Sequence, residues 1–287
     1  MLYFSFVAPR RRAKLSSFWL WVALFLYSLG LVHSIITVVT RRQVIFRVAL
    51  LAFSLGFVFH LVSLVEHAFL THRWPVTTVA EATSLFAFII TAGFLLVYAL
   101  TGVNSLSVLV FPIVFVMTLA AATSQPALGP IASPLLRATW VPVHISFALV
   151  GYTALVISFL AGIMYLIQER ELKRHRPRTF YYRLPPLEDI DRIASRTLAV
   201  GFPFLTVAII LGALGASSTW GPSWMRDAKV LLSFLLWFIY VMLVYSRVAA
   251  GWRGRKAAYF AMVGLVAALA SWAGNYLSAH HSFIPPR

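Results

Sequence analysis

The sequence contains no cysteine among its 287 residues, and charged residues of both signs are scarce. The absence of cysteine excludes disulfide bonds, thiol redox chemistry and cysteine-ligated metals, so histidine is the main candidate ligand for a metal ion. Charged residues make up 11% of the chain, whereas soluble domains contain about 25%. The positive charge is not carried by a folded soluble domain, so nucleic-acid binding has little support.

Long apolar runs account for most of the chain, in which 61% of the residues are hydrophobic. About 20 apolar residues in a helix cross the roughly 30 Å hydrocarbon core of a bilayer. The runs are continuous rather than alternating, which argues against a membrane β-barrel. We therefore predict an all-α fold, a polytopic transmembrane helical bundle forming a single membrane domain over residues 1–287. About eight spans are expected, near residues 18–39, 45–69, 80–101, 105–123, 140–167, 197–216, 229–247 and 257–277.

Acidic residues are outnumbered by basic ones, 8 Asp and Glu against 24 Lys and Arg. The basic residues lie in connections between apolar runs, as expected from the positive-inside rule and from contact with anionic lipid in the bilayer. We therefore predict that the basic connection 169–196 lies in the cytoplasm, together with the turns 40–47 and 248–256. With eight spans, both chain ends then face outward, although the basic residues of 1–17 favour the opposite side.

This orientation brings three features to the outer face: His144, the tryptophan-rich connection 217–229, and the histidines at 280 and 281. Two neutral imidazoles can ligate haem iron axially, although either histidine alone is more often solvated or at the lipid interface. A zinc site needs three or four ligands, and a third histidine comes only from His72 or His280. Tryptophan belts anchor proteins at headgroups. Large flat rings can also form a wall against a porphyrin, and the candidates are Trp140, Trp220 and Trp224.

Four further residues are candidates, and three of them have two interpretations each. Asp227 can accept the second ring N–H of a histidine or can cap the helix that follows. His60 lies within a predicted span, where ionisable residues are functional candidates, but a hydrogen-bonded packing role is equally compatible. His67 follows seven residues later on the same helix face. Glu81 opens the third span, where it can be a site residue or a helix-start charge.

Together these residues resemble the cytochrome c assembly superfamily, which includes CcsA (ResC), CcmC and HemX-like proteins. The resemblance covers residues 45–285 and is most specific in the tail. There the tryptophan-rich pattern of the family, called the WWD domain, is matched by Trp220, Gly221, Trp224, Asp227 and Lys229. Further matches are Trp237, Tyr240 and the stretch 251–255, and Glu81 matches a segment before the third span. His144 and His281 fall where the family has its two outer histidines. Four positions depart from the pattern: Arg226 replaces a third tryptophan, Ala228 and Val230 replace a proline and a glutamate, and Tyr245 replaces a histidine of an internal haem site.

The resemblance implies haem b bound at the outer face, with His144 and His281 as axial ligands of the iron. Trp220 and Trp224 would form the apolar wall, with Gly221 and Asp227 also among the cofactor-binding residues. Arg226 or Arg137 would pair with the haem propionates. No residue of the chain is assigned a catalytic role, because haem carries the chemistry.

The function so implied is haem handling in cytochrome c biogenesis, in a bacterial inner membrane with the haem site on the periplasmic side. The expected partners are haem, an apocytochrome c and a second biogenesis membrane protein. Whether the chain forms part of a haem lyase enzyme stays open. The alternative is a HemX-like, non-enzymatic regulator or scaffold linked to tetrapyrrole synthesis, with the basic connection 169–196 contacting a cytoplasmic partner.

Overall fold

Eight α-helices account for most of the described chain. The computed structural model describes residues 9–40, 42–124, 138, 140–173 and 184–278, with side chains from Ser17 onward except at 38 and 43. The helices are α1 (Pro9–Thr40), α2 (Gln43–Thr71), α3 (Val79–Thr101), α4 (Ser107–Thr123), α5 (Trp140–Leu172), α6 (Leu187–Trp220), α7 (Ala228–Val248) and α8 (Gly254–Ala273). Seven are long and apolar enough to cross a membrane, and α4 is a shorter apolar helix. The predicted all-α, polytopic bundle is confirmed.

The helices extend into segments predicted as connections. Helix α6 begins at Leu187, ten residues before the predicted span, and its first turn contains Glu188 and Asp189. Acidic residues stabilise the amino-terminal turn of a helix, so charges that suggested a loop belong to a helix start. At the other end α6 runs to Trp220, and a short 3₁₀ helix, Gly221–Arg226, follows it within the connection 217–229.

Contacts divide the chain into two units, each with its own core. The amino-terminal unit comprises α1, α2, most of α3, and α4; the carboxy-terminal unit comprises α5 to α8. In the amino-terminal unit the rings of Phe53 and Phe111 stack with centroids 3.6 Å apart, and Phe94 meets both edge-on. Helices α1 and α2 approach closely at Gly56, where an added Cβ would lie 2.7 Å from the ring of Tyr27.

The carboxy-terminal unit has two distinct ends. At one end α5 and α7 finish while α6 and α8 begin. There Asp191 Oδ1 accepts hydrogen bonds from Arg247 at 2.6 Å and from the backbone N–H of Gly254 at 3.0 Å. At the opposite end α5 and α7 begin while α6 and α8 finish, which brings together His144, the 3₁₀ helix and the last turn of α8. We call this opposite end the histidine end.

Candidate functional site

His144 lies in the second turn of α5 and is oriented by a neighbouring helix. Its Nδ1 is 2.7 Å from the carbonyl oxygen of Ala208 on α6. A carbonyl only accepts hydrogen bonds, so Nδ1 carries a proton, and in the neutral imidazole Nε2 then carries the lone pair. Nε2 has no hydrogen-bond partner among the described residues and is not sealed by packing. This is the arrangement by which proteins orient a histidine that ligates a metal.

A largely apolar cavity lies in front of this histidine. Its empty volume, including the space open to the surroundings, is about 370 Å³. Besides His144, the lining residues are Ile209, Gly212, Ala213, Trp224, Lys229, Val230, Ser233 and Phe234. Trp140, one turn before His144, meets the imidazole edge-on with ring centroids 6.1 Å apart. The cavity therefore joins a metal-competent histidine to an aromatic and aliphatic wall.

The tryptophan-rich connection contributes only part of its predicted platform to this cavity. Trp224 lines it, with its ring centroid 6.3 Å from that of Phe234. Trp220 is the half-buried last residue of α6 and does not line the cavity. Gly221 is exposed and has a φ of +64°, which glycine adopts without strain as the chain turns out of the helix. Arg226 is also exposed and lies outside the lining.

Asp227 is buried and serves as the N-cap of α7. Its Oδ1 accepts the backbone N–H groups of Lys229 and Val230 at 2.9 and 3.3 Å. Its Oδ2 accepts the hydroxyl of Ser278 at 2.6 Å. The carboxylate therefore attaches the segment after α8 to the start of α7. His281, three residues further on, lies outside the described residues, as does Arg137.

A polar network that the sequence interpretation missed reaches the cavity through Lys229 and Ser233. The ammonium of Lys229 donates to the carbonyl and hydroxyl oxygens of Ser271 on α8, at 2.6 and 3.2 Å. The Ser271 hydroxyl also lies 3.2 Å from both the Ser233 hydroxyl and the Tyr152 hydroxyl. Small polar residues inside a span are a signal for such interhelical contacts, but sequence spacing does not reveal which ones meet.

The amino-terminal unit contains the remaining intramembrane candidates, and His60 is fully buried there. The Tyr27 hydroxyl lies 3.3 Å from its Nδ1, and the Ser84 hydroxyl lies 2.9 Å from its Nε2. Both ring nitrogens are thus engaged by hydroxyl groups of the protein. The packing interpretation of His60 is the one that this geometry favours.

Glu81 is buried at the start of α3, where it combines a capping role with an ion-pair cluster. The Thr78 hydroxyl accepts the backbone N–H of Glu81 at 3.1 Å, as in a capping box. Its Oε2 accepts the backbone N–H and the hydroxyl of Thr77, at 2.8 and 2.7 Å. Its Oε1 lies 3.1 Å from Nε2 of His67 and 3.5 Å from the guanidinium of Arg73.

The geometry bears on two candidate metal sites, a zinc site and the internal haem position of Tyr245. Within the part of the chain that the structure describes, no group of three or more His, Cys, Asp or Glu side chains could hold a metal ion. Tyr245, the candidate at the internal position, is 60% exposed on α7. A bare zinc ion therefore lacks a ligand set among the described residues, whereas haem iron needs only axial ligands because the porphyrin supplies the rest.

Comparisons with known proteins match this chain along most of its length. The sequence model of the family described as cytochrome C assembly protein matches residues 48–274. The cytochrome c biogenesis protein CcsA of Chlamydomonas reinhardtii is 30% identical over 200 residues, covering 68% of this chain and 56% of that protein. CcsA of Microcystis aeruginosa is 27% identical over 252 residues, covering 69% of this chain and 77% of that protein. CcsA of Synechococcus sp. (strain CC9902) is 32% identical over 154 residues, covering 46% of this chain and 51% of that protein. The chain thus spans about half the length of several curated relatives that it matches.

Proposed function

The chain belongs to the cytochrome C assembly protein family, and from this premise we propose that it is a membrane protein of cytochrome c biogenesis that binds haem at the histidine end. The haem is cargo, held by His144 through the iron and by Trp224 along one face of the ring. Delivery to an apocytochrome c, with or without a second membrane protein, is the role that its CcsA relatives suggest.

The observation that supports this proposal best is the hydrogen bond from Nδ1 of His144 to the Ala208 carbonyl. It selects the neutral tautomer in which Nε2 is the available electron-pair donor. An imidazole of that kind is a common metal ligand, and its outer hydrogen bond fixes the ring direction and increases ligand basicity. His60 lacks this property because hydroxyl groups engage both of its nitrogens.

The cavity suits one edge of a haem rather than the whole molecule. At about 370 Å³ it lies at the lower end of the range for ligand pockets. We propose that the remainder of the ring extends toward the segment after Ser278. Three fully extended residues span at most about 11 Å, so His281 is within chain reach of the Asp227–Ser278 contact. It is the second axial ligand in this proposal.

Sidedness completes the proposal. The basic residues of 169–196 and 248–256 favour the cytoplasmic side for the end of the carboxy-terminal unit that contains Asp191. The histidine end then faces outward, toward the periplasm if the membrane is a bacterial inner membrane. Haem bound at the histidine end would then be presented on the outer side of the membrane.

The direct test is a haem titration of the purified full-length protein, followed by absorbance in the Soret region. The wild type should give a spectrum typical of histidine-ligated b-type haem. The His144→Ala variant should lose affinity by more than the roughly 10–100-fold that removal of an outer hydrogen-bond partner costs at metal sites. The His281→Ala variant should change the spectrum from six-coordinate to five-coordinate iron.

The matched control is His33→Ala. The Nδ1 of His33 is 2.8 Å from the Leu29 carbonyl oxygen in its own helix, and His33 does not line the cavity in front of His144. This control should bind haem as the wild type does. Two results together would contradict the proposal. The purified protein would stay colourless with excess haem, and cytochromes c would still mature in a strain from which the gene is deleted. Those results would favour the regulator or scaffold alternative.

A further inference from the structure

We propose that Lys229 binds a carboxylate of the haem, so that the site recognises a propionate as well as the iron; this inference rests on the proposed function. Lys229 is the second residue of α7 and lines the same cavity as His144. Its ammonium donates to the carbonyl oxygen of Ser271 at 2.6 Å and to the hydroxyl at 3.2 Å. An ammonium has three donors, so one is left for a ligand.

The chain supplies no carboxylate to this ammonium within the described residues. All eight Asp and Glu residues of the sequence are described, and Nζ of Lys229 forms no ion pair with any of them. The nearest in sequence is Asp227, whose oxygens accept two backbone N–H groups and the Ser278 hydroxyl. Five of the others lie at the opposite end of the carboxy-terminal unit. These are Glu169, Glu171, Glu188, Asp189 and Asp191.

A positive charge in a largely apolar cavity carries a desolvation cost that an anion offsets. His144 does not provide that anion, because its imidazole is neutral in this tautomer. Haem provides two carboxylates at one edge of a flat apolar ring, and the iron lies at the ring centre. A ligand that meets His144 through its metal and Lys229 through its carboxylate matches both unsatisfied groups of the cavity at once.

Ser271 makes Lys229 a positioned cation rather than a mobile one. The Ser271 hydroxyl is fully buried and contacts Ser233 and Tyr152. An α8 carbonyl near the helix end is also a favourable neighbour for a cation. A purely structural role for Lys229, holding α7 to α8, therefore has to be separated from ligand recognition by experiment.

The separating probe is haem dimethyl ester, in which both propionates are neutral esters and the iron centre is unchanged. Dissociation constants for ferric haem and for its dimethyl ester are measured with the detergent-solubilised full chain and with Lys229→Met. The substitution should weaken haem binding by on the order of ten- to a hundredfold, the range for a hydrogen bond to a charged group. The affinity for the ester should be unchanged. Lys229→Arg should restore most of the discrimination between the two ligands.

Two further variants, one of a lysine and one of an arginine, complete the experiment. Lys256→Met removes an exposed cation from the other end of the carboxy-terminal unit and should leave both affinities as in the wild type. Arg226→Met tests the exposed cation of the 3₁₀ helix. A selective loss for haem in Arg226→Met but not in Lys229→Met would overturn the assignment. An equal loss for haem and ester in Lys229→Met would also overturn it, because a structural role predicts that result. If the wild type binds neither ligand, the proposed function itself fails.

Discussion

Gly212 on α6 lies directly against the imidazole of His144. A Cβ added to this glycine would be 2.6 Å from Cε1 and 3.0 Å from Nδ1 of the ring. Real Cβ atoms essentially never approach that closely, so the absence of a side chain at residue 212 is what allows the ring to reach the Ala208 carbonyl four residues earlier on the same helix. The orientation of the proposed iron ligand therefore depends on a glycine that has no chemistry of its own.

The first prediction concerns this glycine. Gly212→Ala should displace the imidazole and break the hydrogen bond from Nδ1 to Ala208, and overpacking should cost about 1–3 kcal/mol of stability. Haem affinity should fall by roughly 10–100-fold, as for other losses of an outer-shell partner. A haem titration measures this directly. The matched control is Gly162→Ala in α5, where the new Cβ would make ordinary contacts of 3.4–3.5 Å with Ala258. Equal affinity in the two variants would argue against the role of Gly212.

The second prediction separates Trp220 and Trp224, the two tryptophans of the connection 217–229. Trp224 lines the cavity and packs near Phe234, whereas Trp220 does not line it. Trp224→Ala should weaken haem binding by about 1–3 kcal/mol through lost apolar contact, and Trp224→Phe should retain most of the affinity. Trp220→Ala should have a smaller effect. Haem titrations of all three variants test this order of affinities. A larger loss for Trp220→Ala than for Trp224→Ala would show that Trp220, and not Trp224, forms the haem wall.

Much of the fold follows from the sequence because hydropathy and length alone identify membrane-length helices. The eight predicted spans correspond to the eight helices, and the unexpected extensions occur where charged residues continue a helix, as at Glu188 and Asp189 in the first turn of α6. Those charges suggested a loop, because a loop and a helix that extends beyond the membrane contain similar residues.

The site was less accessible from the sequence, since it depends on which faces of distant helices meet. His144 and Trp224 were predicted to lie at one level, and they do line one cavity. The roles of Gly212 and of the Lys229–Ser271 contact were missed, because residues 42 positions apart have no shared periodicity. Small residues at helical spacing on α6 were the available signal for close approach, but they do not specify the partner.

The third prediction concerns Glu81, whose side chain is 9% exposed and whose carboxylate contacts His67, Arg73 and Thr77. Glu81→Gln removes the charge that this cluster surrounds, and disruption of a buried ionic cluster costs about 3–5 kcal/mol. Thermal unfolding of the detergent-solubilised protein should therefore shift to a clearly lower temperature.

The control for this substitution is Glu188→Gln. Glu188 pairs with Arg192 at 2.8 Å, but its side chain is 82% exposed. Exposed pairs contribute about 0–1 kcal/mol, so its unfolding temperature should hardly change. Similar shifts for the two variants would show that the Glu81 cluster does not contribute to folding as its burial implies.

The last prediction distinguishes a structural histidine from a ligand. His60 is sealed from the surroundings, with Tyr27 and Ser84 at its two nitrogens. His60→Ala leaves two buried hydroxyl groups without this partner, at about 1–3 kcal/mol each, and leaves a cavity in the core. The unfolding temperature should drop while the haem spectrum and affinity of the remaining folded protein match the wild type. His144→Ala should do the reverse, since His144 makes one hydrogen bond and lines an open cavity. His60→Ala could instead abolish the haem spectrum at a temperature where the protein is fully folded. That result would show that His60 is a haem ligand or controls one, and that its structural role is the wrong interpretation.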